Sequence, residues 1–139
     1  MKILLLNGVN LNMLGRRNPK FYGRDTLQEL EKKVVDYAQQ CGIAVVCQQS
    51  NCEGILVDIL QQTEADAVVF NAGAYSHYSY ALRDCIECID RPVVEVHLSD
   101  VEQREAFRHV DVLSDVCAAR FMGKGVQSYF EAIDFLTKR

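Results

Sequence analysis

The stretch MKILLLNGVN, residues 1–10, places an apolar run, Lys2 to Leu6, directly before the polar turn Asn7-Gly8-Val9-Asn10. A short apolar run without alternation is typical of a strand that is buried on both faces of a sheet. Four more such runs follow along the chain: Ala44 to Cys47, Ala67 to Phe70, Val93 to Val96 and Cys117 to Met122. The sequence therefore predicts five strands.

Helical patterns lie between these runs. Thr26-Leu27-Gln28-Glu29 has the spacing of a capping box, and the apolar residues after it recur at helical intervals up to Gly42. Ser50 and Glu53 repeat the capping-box spacing ahead of a second helix. Two more helical patterns cover residues 82–89 and 126–136. Strands that alternate with helices imply parallel pairing, so we expect an α/β fold, a flavodoxin-like three-layer sandwich with a five-stranded parallel sheet.

Length and composition indicate one acidic domain. The 139 residues show no internal repeat, so residues 1–139 are expected to form a single domain. A formal net charge of -4 has the wrong sign for a surface that binds nucleic acid. No apolar run approaches the roughly 18 residues that span a bilayer, and no signal-peptide pattern is present. We expect a cytoplasmic protein without nucleic-acid or membrane partners.

The cysteines and glycines do not predict a metal or cofactor site. Cys85 and Cys88 form a C-x-x-C pair, but both lie in a helical pattern and no second pair matches them. The segment Gly123-Lys124-Gly125-Val126-Gln127-Ser128 comes near a dinucleotide fingerprint, but it lacks the acidic residue about 20 positions further on. We therefore expect no metal and no cofactor.

The connection from Gly8 to Asp25 is long, about 18 residues where strand-to-helix loops usually need about 2 to 6. It contains Tyr22 and, within six residues of it, the three arginines Arg16, Arg17 and Arg24. Nearby cations favour the phenolate form of a tyrosine, and a phenolate can act as a base. The loop is either a movable lid that carries positive charge or a solvated basic loop.

Polar side chains stand where the middle strands of the predicted sheet end. Asn71 and His77 follow the third run, and His97 follows the fourth. In the strand order 2-1-3-4-5 the first, third and fourth strands are neighbours, and open α/β sheets bind ligands beyond the carboxyl ends of their strands. Glu95 and His97 lie two residues apart on one strand and face the same side, so the carboxylate can hold the imidazole. Either residue could instead be a hydrogen-bonded polar group without a catalytic role.

Two arginines follow the fourth strand. Arg104 and Arg108 stand four residues apart, which places them on one face of a predicted short helix. From that face Arg108 could reach a ligand in the crevice, and solvation at the surface is an equal alternative.

Three motifs together resemble the type II 3-dehydroquinate dehydratase family. The likeness extends from the first strand to the last helix, and three motifs in this order are highly specific. The motifs are Asn7 to Arg17 followed by Tyr22-Gly23, then Asn71-Ala72-Gly73 with Ser76-His77, then Glu95 to Ser99 followed by Arg104-Glu105 and Phe107-Arg108. Val9 and Ala74 depart from the family pattern, which usually has proline and glycine there, and neither change removes a chemical group.

The resemblance implies a cofactor-free enzyme that reversibly dehydrates 3-dehydroquinate to 3-dehydroshikimate through an enolate. Tyr22 would be the base, activated by Arg17, and His97 would be the acid that protonates the departing hydroxyl, with Glu95 holding its ring. Asn10 would help to hold the oxygen on which negative charge develops. Substrate-binding roles are implied for Asn71, His77, Asp84, Leu98, Ser99 and Arg108.

The resemblance also implies an assembly and a metabolic role. The expected homo-oligomer is a dodecamer built from trimers, with Asp84 near a subunit contact. The same reaction serves the shikimate pathway to aromatic amino acids and the breakdown of quinate, and the residues leave both roles open.

Other functions are compatible with this fold. A phospho-receiver needs an acidic cluster after the first strand and an aspartate at the end of the third, but asparagines occupy those places: Asn7, Asn10 and Asn71. A flavin-binding module needs a Ser/Thr/Gly phosphate loop after the first strand, which the sequence lacks. A lyase or hydrolase for another small polyol acid stays open.

Overall fold

A computed structural model describes residues 1–138, which contain a sheet of five strands with helices on both faces. The strands are β1 (Lys2–Asn7), β2 (Ala44–Gln49), β3 (Ala67–Asn71), β4 (Val93–His97) and β5 (Ala119–Met122). The helices are α1 (Pro19–Tyr22), α2 (Leu27–Gln40), α3 (Glu53–Gln62), α4 (Tyr80–Cys88) and α5 (Val126–Thr137).

All neighbouring strands are parallel, and their order is β2-β1-β3-β4-β5. Helices α2 and α5 cover one face of the sheet, and α3 and α4 cover the other. Strands β3 and β4 are buried along their whole length, which explains their uninterrupted apolar runs. The predicted flavodoxin-like three-layer sandwich is confirmed. Within residues 1–138, no helix has the length and apolar character needed to cross a bilayer.

The two predicted capping boxes have different outcomes. At the start of α2, the Thr26 hydroxyl accepts from the Glu29 N–H at 3.2 Å and the Glu29 carboxylate accepts from the Thr26 N–H at 3.0 Å. The box predicted from Ser50 and Glu53 is wrong, because α3 begins at Glu53 itself. The Ser50 hydroxyl instead accepts from the Cys52 N–H at 3.0 Å, and the Glu53 carboxylate accepts from the hydroxyl of Ser79. A side chain from another helix has replaced the local partner.

The single helix predicted for Arg104 and Arg108 is also wrong. The segment forms two separate 3-10 turns, Val101–Gln103 and Ala106–His109. Arg104 lies between them in an extended conformation, with φ -112° and ψ -165°. The two arginines therefore do not share a helix face. Arg108 enters the crevice from the second turn, and Arg104 enters it from the extended residue between the turns.

The long connection after β1 is partly anchored on the core. It contains a 3-10 turn, Leu11–Met13, and the short helix α1. Leu11 and Leu14 are buried against the core cluster between the sheet and α2 and α5, and Tyr22 packs against the same cluster. Asn10 precedes the turn with φ 67°, a left-handed conformation that asparagine tolerates better than most residues. The connection is thus anchored on the core both near Asn10 and at Tyr22.

A buried tyrosine joins α5 to the carboxyl ends of β1 and β3. The Tyr129 hydroxyl donates to Asn7 Oδ1 at 2.6 Å and accepts from Asn71 Nδ2 at 2.9 Å. Asn71 Oδ1 in turn accepts from the Gly73 N–H at 3.0 Å. Asn7 and Asn71 are register partners on neighbouring strands, and Tyr129 is completely buried. One hydroxyl therefore determines how the two central strand ends are held.

Tyr129→Phe should lower the free energy of unfolding by about 1 to 3 kcal/mol, because it leaves Asn7 Oδ1 and Asn71 Nδ2 buried without partners. Urea denaturation followed by circular dichroism measures the change. The matched control is Tyr37→Phe, which removes a half-buried hydroxyl bound to Asp134 and should cost no more than about 1 kcal/mol. Equal effects of the two substitutions would show that the buried bridge has no special weight.

Candidate active site

A crevice opens at the carboxyl edge of the sheet, above β1, β3 and β4. Nine of the eleven residues proposed from the sequence line it: Asn10, Arg17, Tyr22, Asn71, His77, His97, Leu98, Ser99 and Arg108. Glu95 lies beneath the crevice, completely buried on β4. Asp84 is exposed on α4 and does not line the crevice. Three strand ends and the long connection thus bring their polar groups together at one edge.

Two arginines surround the Tyr22 side chain. The guanidinium carbon of Arg17 lies 3.6 Å from the centroid of the tyrosine ring, over its face. Arg104 Nη1 donates to the Tyr22 hydroxyl oxygen at 2.6 Å. Burial lowers the pKa of Arg17, and the neighbouring cations Arg104 and Arg108 act in the same direction. The structure thus places Arg17 against the ring and Arg104 against the oxygen.

Arg104 is a site residue that the sequence reasoning missed. Its side chain is 8% exposed, and its buried Nε–H has no hydrogen-bond partner among residues 1–138. The guanidinium also lies 4.2 Å from the centroid of the Phe21 ring, so it fastens α1 to the segment after β4. The third motif contained Arg104, but its reach depends on the extended backbone between the two 3-10 turns. No local pattern indicates that geometry.

His97 is held by a carboxylate and approached by a second one. His97 Nε2 lies 2.6 Å from Glu95 Oε2, as expected for residues two apart on a strand. The second carboxylate belongs to Asp111, whose Oδ2 lies 3.8 Å from the same nitrogen. Arg120 on β5 donates to Asp111 Oδ2 at 3.1 Å. The sequence reasoning did not single out Asp111 or Arg120, since neither belongs to the three motifs.

These charges shift the proton equilibria of the group. Burial opposes the charged imidazole, but Asp111 and Glu95 outweigh it and raise the pKa of His97 to about 9. Burial and the nearby Asp111 together outweigh the opposing effect of His97 and raise the pKa of Glu95 to about 7. Although burial opposes ionisation of Asp111 too, its interactions with His97 and Glu95 and its hydrogen bond with the backbone hold its pKa well below the usual range. At neutral pH, His97 therefore carries a proton and Asp111 a negative charge.

The other polar groups of the crevice are held individually. His77 Nδ1 donates to the carbonyl oxygen of Val110 at 2.7 Å, and burial lowers the pKa of His77, so the ring is neutral. The Ser99 hydroxyl accepts from Arg104 Nη1 at 3.4 Å. Arg108 Nε lies 3.3 Å from Glu105 Oε2, a pairing at the rim of the crevice. The crevice thus contains a neutral imidazole, a hydroxyl and positive charge.

Glu95, His97 and Asp111 form the only group of three metal-ligating side chains with atoms within 4.8 Å of one another in residues 1–138. Their atoms already serve other partners, since Glu95 engages His97 Nε2 and Arg120 engages Asp111 Oδ2. A guanidinium 3.1 Å from one carboxylate also opposes a cation there. We interpret the group as a network that holds a proton.

The fold and the crevice define a flavodoxin-like α/β protein with an arginine-bound tyrosine and a carboxylate-bound histidine at the carboxyl edge of its sheet. The sequence model of the class II dehydroquinase family matches residues 1–137. The 3-dehydroquinate dehydratase of Pelotomaculum thermopropionicum is 49% identical over 135 residues, covering 96% of this chain and 94% of that protein. The crystal structure of a type II dehydroquinase from Butyrivibrio crossotus has a TM-score of 0.95 and 42% identity, covering 98% of this chain and 97% of that chain. The chain belongs to the class II dehydroquinase family.

Proposed function

We propose that the protein is a 3-dehydroquinate dehydratase, which reversibly removes water from 3-dehydroquinate to give 3-dehydroshikimate. The observation that carries the proposal is that one crevice contains a tyrosine hydroxyl bound by an arginine and a histidine bound by a carboxylate. Such a pair supplies a base and an acid, the two groups that a dehydration needs. Family membership and the names of the similar proteins support the same substrate.

Tyr22 is the proposed base. Arg104 donates a charge-assisted hydrogen bond to its oxygen, and Arg17 lies over its ring. The phenolate takes a proton from the carbon beside the ketone and becomes a phenol. The electron pair of the broken C–H bond forms an enolate.

The enolate oxygen needs stabilisation by groups that are already in place. Asn10 lines the crevice at the end of β1, and Arg17 brings positive charge to the same side. The Asn10 backbone is held by a hydrogen bond from its N–H to Asn51 Oδ1 at 2.9 Å. We assign the developing negative charge to the neighbourhood of Asn10 on these grounds.

His97 is the proposed acid. Because Glu95 engages Nε2, the other ring nitrogen, Nδ1, is the one left for the substrate. The imidazolium gives its proton to the tertiary hydroxyl while the C–O bond breaks, and the enolate electrons form the new carbon–carbon double bond. Water leaves, and His97 is left neutral. The pKa of about 9 means that the ring regains its proton at neutral pH before the next turnover.

The substrate is proposed to bind through the polar groups that line the crevice. Its carboxylate fits the backbone N–H groups of Leu98 and Ser99 together with the serine hydroxyl. Its hydroxyls and ring are assigned to Asn71, His77 and Arg108. Closure of the connection over residues 8–25 would cover the bound ring and exclude water.

Wild-type protein mixed with 3-dehydroquinate should produce the ultraviolet absorbance of a conjugated ketone, and a chelator should leave the rate unchanged. Tyr22→Phe and His97→Ala should each lower kcat by roughly 100- to 10,000-fold with little change in substrate binding, since each removes only a proton-transfer group. Tyr37→Phe, whose hydroxyl binds Asp134 outside the crevice, is the control and should retain full activity. Near-normal turnover of either site variant removes that residue from the mechanism.

Arg17→Ala and Arg104→Met should both lower kcat at pH 7 and recover part of it as pH rises, because alkaline solution removes the phenol proton without a cation. Arg104→Met should lose more, since it removes the donor that contacts the oxygen at 2.6 Å. Rate profiles from pH 6 to pH 10 measure both effects. Wild-type profiles for both variants would mean that neither cation activates Tyr22.

The proposed assembly is a homo-oligomer, a dodecamer built from trimers. Asp84 is exposed on α4 and away from its own crevice, so a substrate-binding role for it needs the crevice of a neighbouring subunit. The apolar side chains exposed near α4 and the crevice rim fit a subunit contact: Tyr78, Tyr80, Phe107 and Val110.

Light scattering should show a closed assembly, and assemblies mixed from two inactive variants should test the role of Asp84. Tyr22→Phe and Asp84→Ala subunits should each be nearly inactive alone but regain activity when unfolded and refolded together. Mixed assemblies then contain crevices with an intact Tyr22 and an intact partner Asp84. A mixture as inactive as its two components would show that Asp84 does not act across a subunit boundary.

A further inference from the structure

The carboxylate that Glu95 offers to His97 is incompletely bound. Glu95 Oε2 contacts the imidazole at 2.6 Å, but Oε1 is buried and has no hydrogen-bond partner among residues 1–138. A buried carboxylate with an unsatisfied oxygen is a costly anion, and it favours taking up a proton. Glu95 by itself is therefore a weak anchor for an imidazolium.

Asp111 has the opposite character. Its Oδ1 accepts from the backbone N–H groups of Leu113 at 2.9 Å and Ser114 at 3.1 Å, and its Oδ2 accepts from Arg120 at 3.1 Å. Three donors hold the carboxylate in one orientation and stabilise its ionised form. The side chain is 4% exposed, so solvent screens its charge very little. Asp111 is thus a permanently charged group 3.8 Å from His97 Nε2.

We propose that Asp111 is a positioning residue that keeps the proton on His97, with the N–H groups of Leu113 and Ser114 holding the Asp111 carboxylate in place. The inference rests on the proposed function, because it assigns Asp111 to the acid of that reaction. Asp111 acts on His97 and not on the substrate. Arg120 is the register partner of Glu95 on the neighbouring strand, so β4 and β5 carry Glu95, His97 and Arg120, and the loop between these strands carries Asp111.

The charges around His97 and Asp111 balance. When Glu95 is ionised, it and Asp111 face the imidazolium of His97 and the guanidinium of Arg120, two charges of each sign in a buried region. Glu102 binds the far side of Arg120 at 3.2 Å, and it is exposed. Without Asp111, the imidazolium would keep only the incompletely bound Glu95.

The remaining titratable neighbours do not supply this charge. His77 is neutral, because burial lowers its pKa, and Cys117 keeps its proton, because burial raises the pKa of its thiol. Asp115 is 67% exposed and is paired with Arg83. Asp111 is therefore the group whose removal should change the proton affinity of His97.

The test follows the imidazole signals of the assembled protein by NMR as a function of pH. The chain has three histidines, and His97→Gln and His77→Gln variants assign the signals. Asp111→Asn should shift the His97 titration to lower pH by about one unit, since it removes a negative charge close to the ring. Arg120→Met should shift it to higher pH, because it removes a positive charge while the two carboxylates remain. Asp115→Asn, an exposed carboxylate of the same segment, should leave the titration unchanged.

The opposite signs distinguish an electrostatic role from mere damage to the fold. Shifts in the same direction for Asp111→Asn and Arg120→Met, or no shift in either, would overturn the inference. If Asp111→Asn does not fold, the Arg120→Met titration alone still decides the question. In the activity assay, Asp111→Asn should move the alkaline limb of the kcat profile to lower pH and leave KM unchanged.

The NMR result does not depend on turnover. A protein that fails to dehydrate 3-dehydroquinate but shows both shifts would refute the proposed function and keep the inference about Asp111. An active protein that shows neither shift would support the proposed function and refute the inference about Asp111.

Discussion

The buried hydroxyl of Tyr129 is the interaction on which the rest of the crevice depends. It bridges Asn7 and Asn71, the last residues of the two central strands, and so links α5 to the edge where the functional groups gather. Next to this bridge, the Gly8 N–H donates to the Asn71 carbonyl at 2.7 Å, and a methyl group on Gly8 would lie 2.7 Å from the Ala72 carbonyl oxygen. The loops that carry Asn10 and His77 begin from this close contact. The distance between these two loops is therefore determined by backbone packing and does not depend on a ligand.

Charge is divided between the two sides of the crevice in a way that suits the proposed chemistry. Cations surround the tyrosine, where Arg17 covers the ring and Arg104 contacts the oxygen. Carboxylates surround the histidine, where Glu95 and Asp111 both face Nε2. Negative charge favours the protonated imidazole and raises the pKa of His97 to about 9. This division of charge fits the proposed roles of Tyr22 as the base and His97 as the acid.

Arg104 connects these electrostatics to the shape of the site. It contacts both Phe21 and Tyr22 on α1 from the segment that follows β4, so one side chain joins the connection after β1 to that segment. The substitution of Arg104 should therefore affect both the proton transfer and the position of α1. Arg104 contributes to the stability of this region in two ways. It donates a charge-assisted hydrogen bond, and its guanidinium packs on aromatic rings.

Local sequence patterns by themselves indicated the five strands, the helices α2, α3, α4 and α5 and the family, because apolar periodicity and the capping box of Thr26 and Glu29 act between residues close in the chain. They did not indicate α1, and they predicted a helix for Arg104 and Arg108 where the chain forms two 3-10 turns. They also brought Glu95 and His97 to one face through simple strand alternation. Only the tertiary structure decided which partners meet across long distances in the chain. The contact between Arg104 and Tyr22 joins residues that are 82 positions apart. Glu53 was predicted to cap its own helix, but its carboxylate instead accepts a hydrogen bond from the hydroxyl of Ser79. The approach of Asp111 to His97 likewise depends on how a loop packs against β4 and β5. Sequence periodicity does not predict such a distance, because only the folded sheet brings these side chains together.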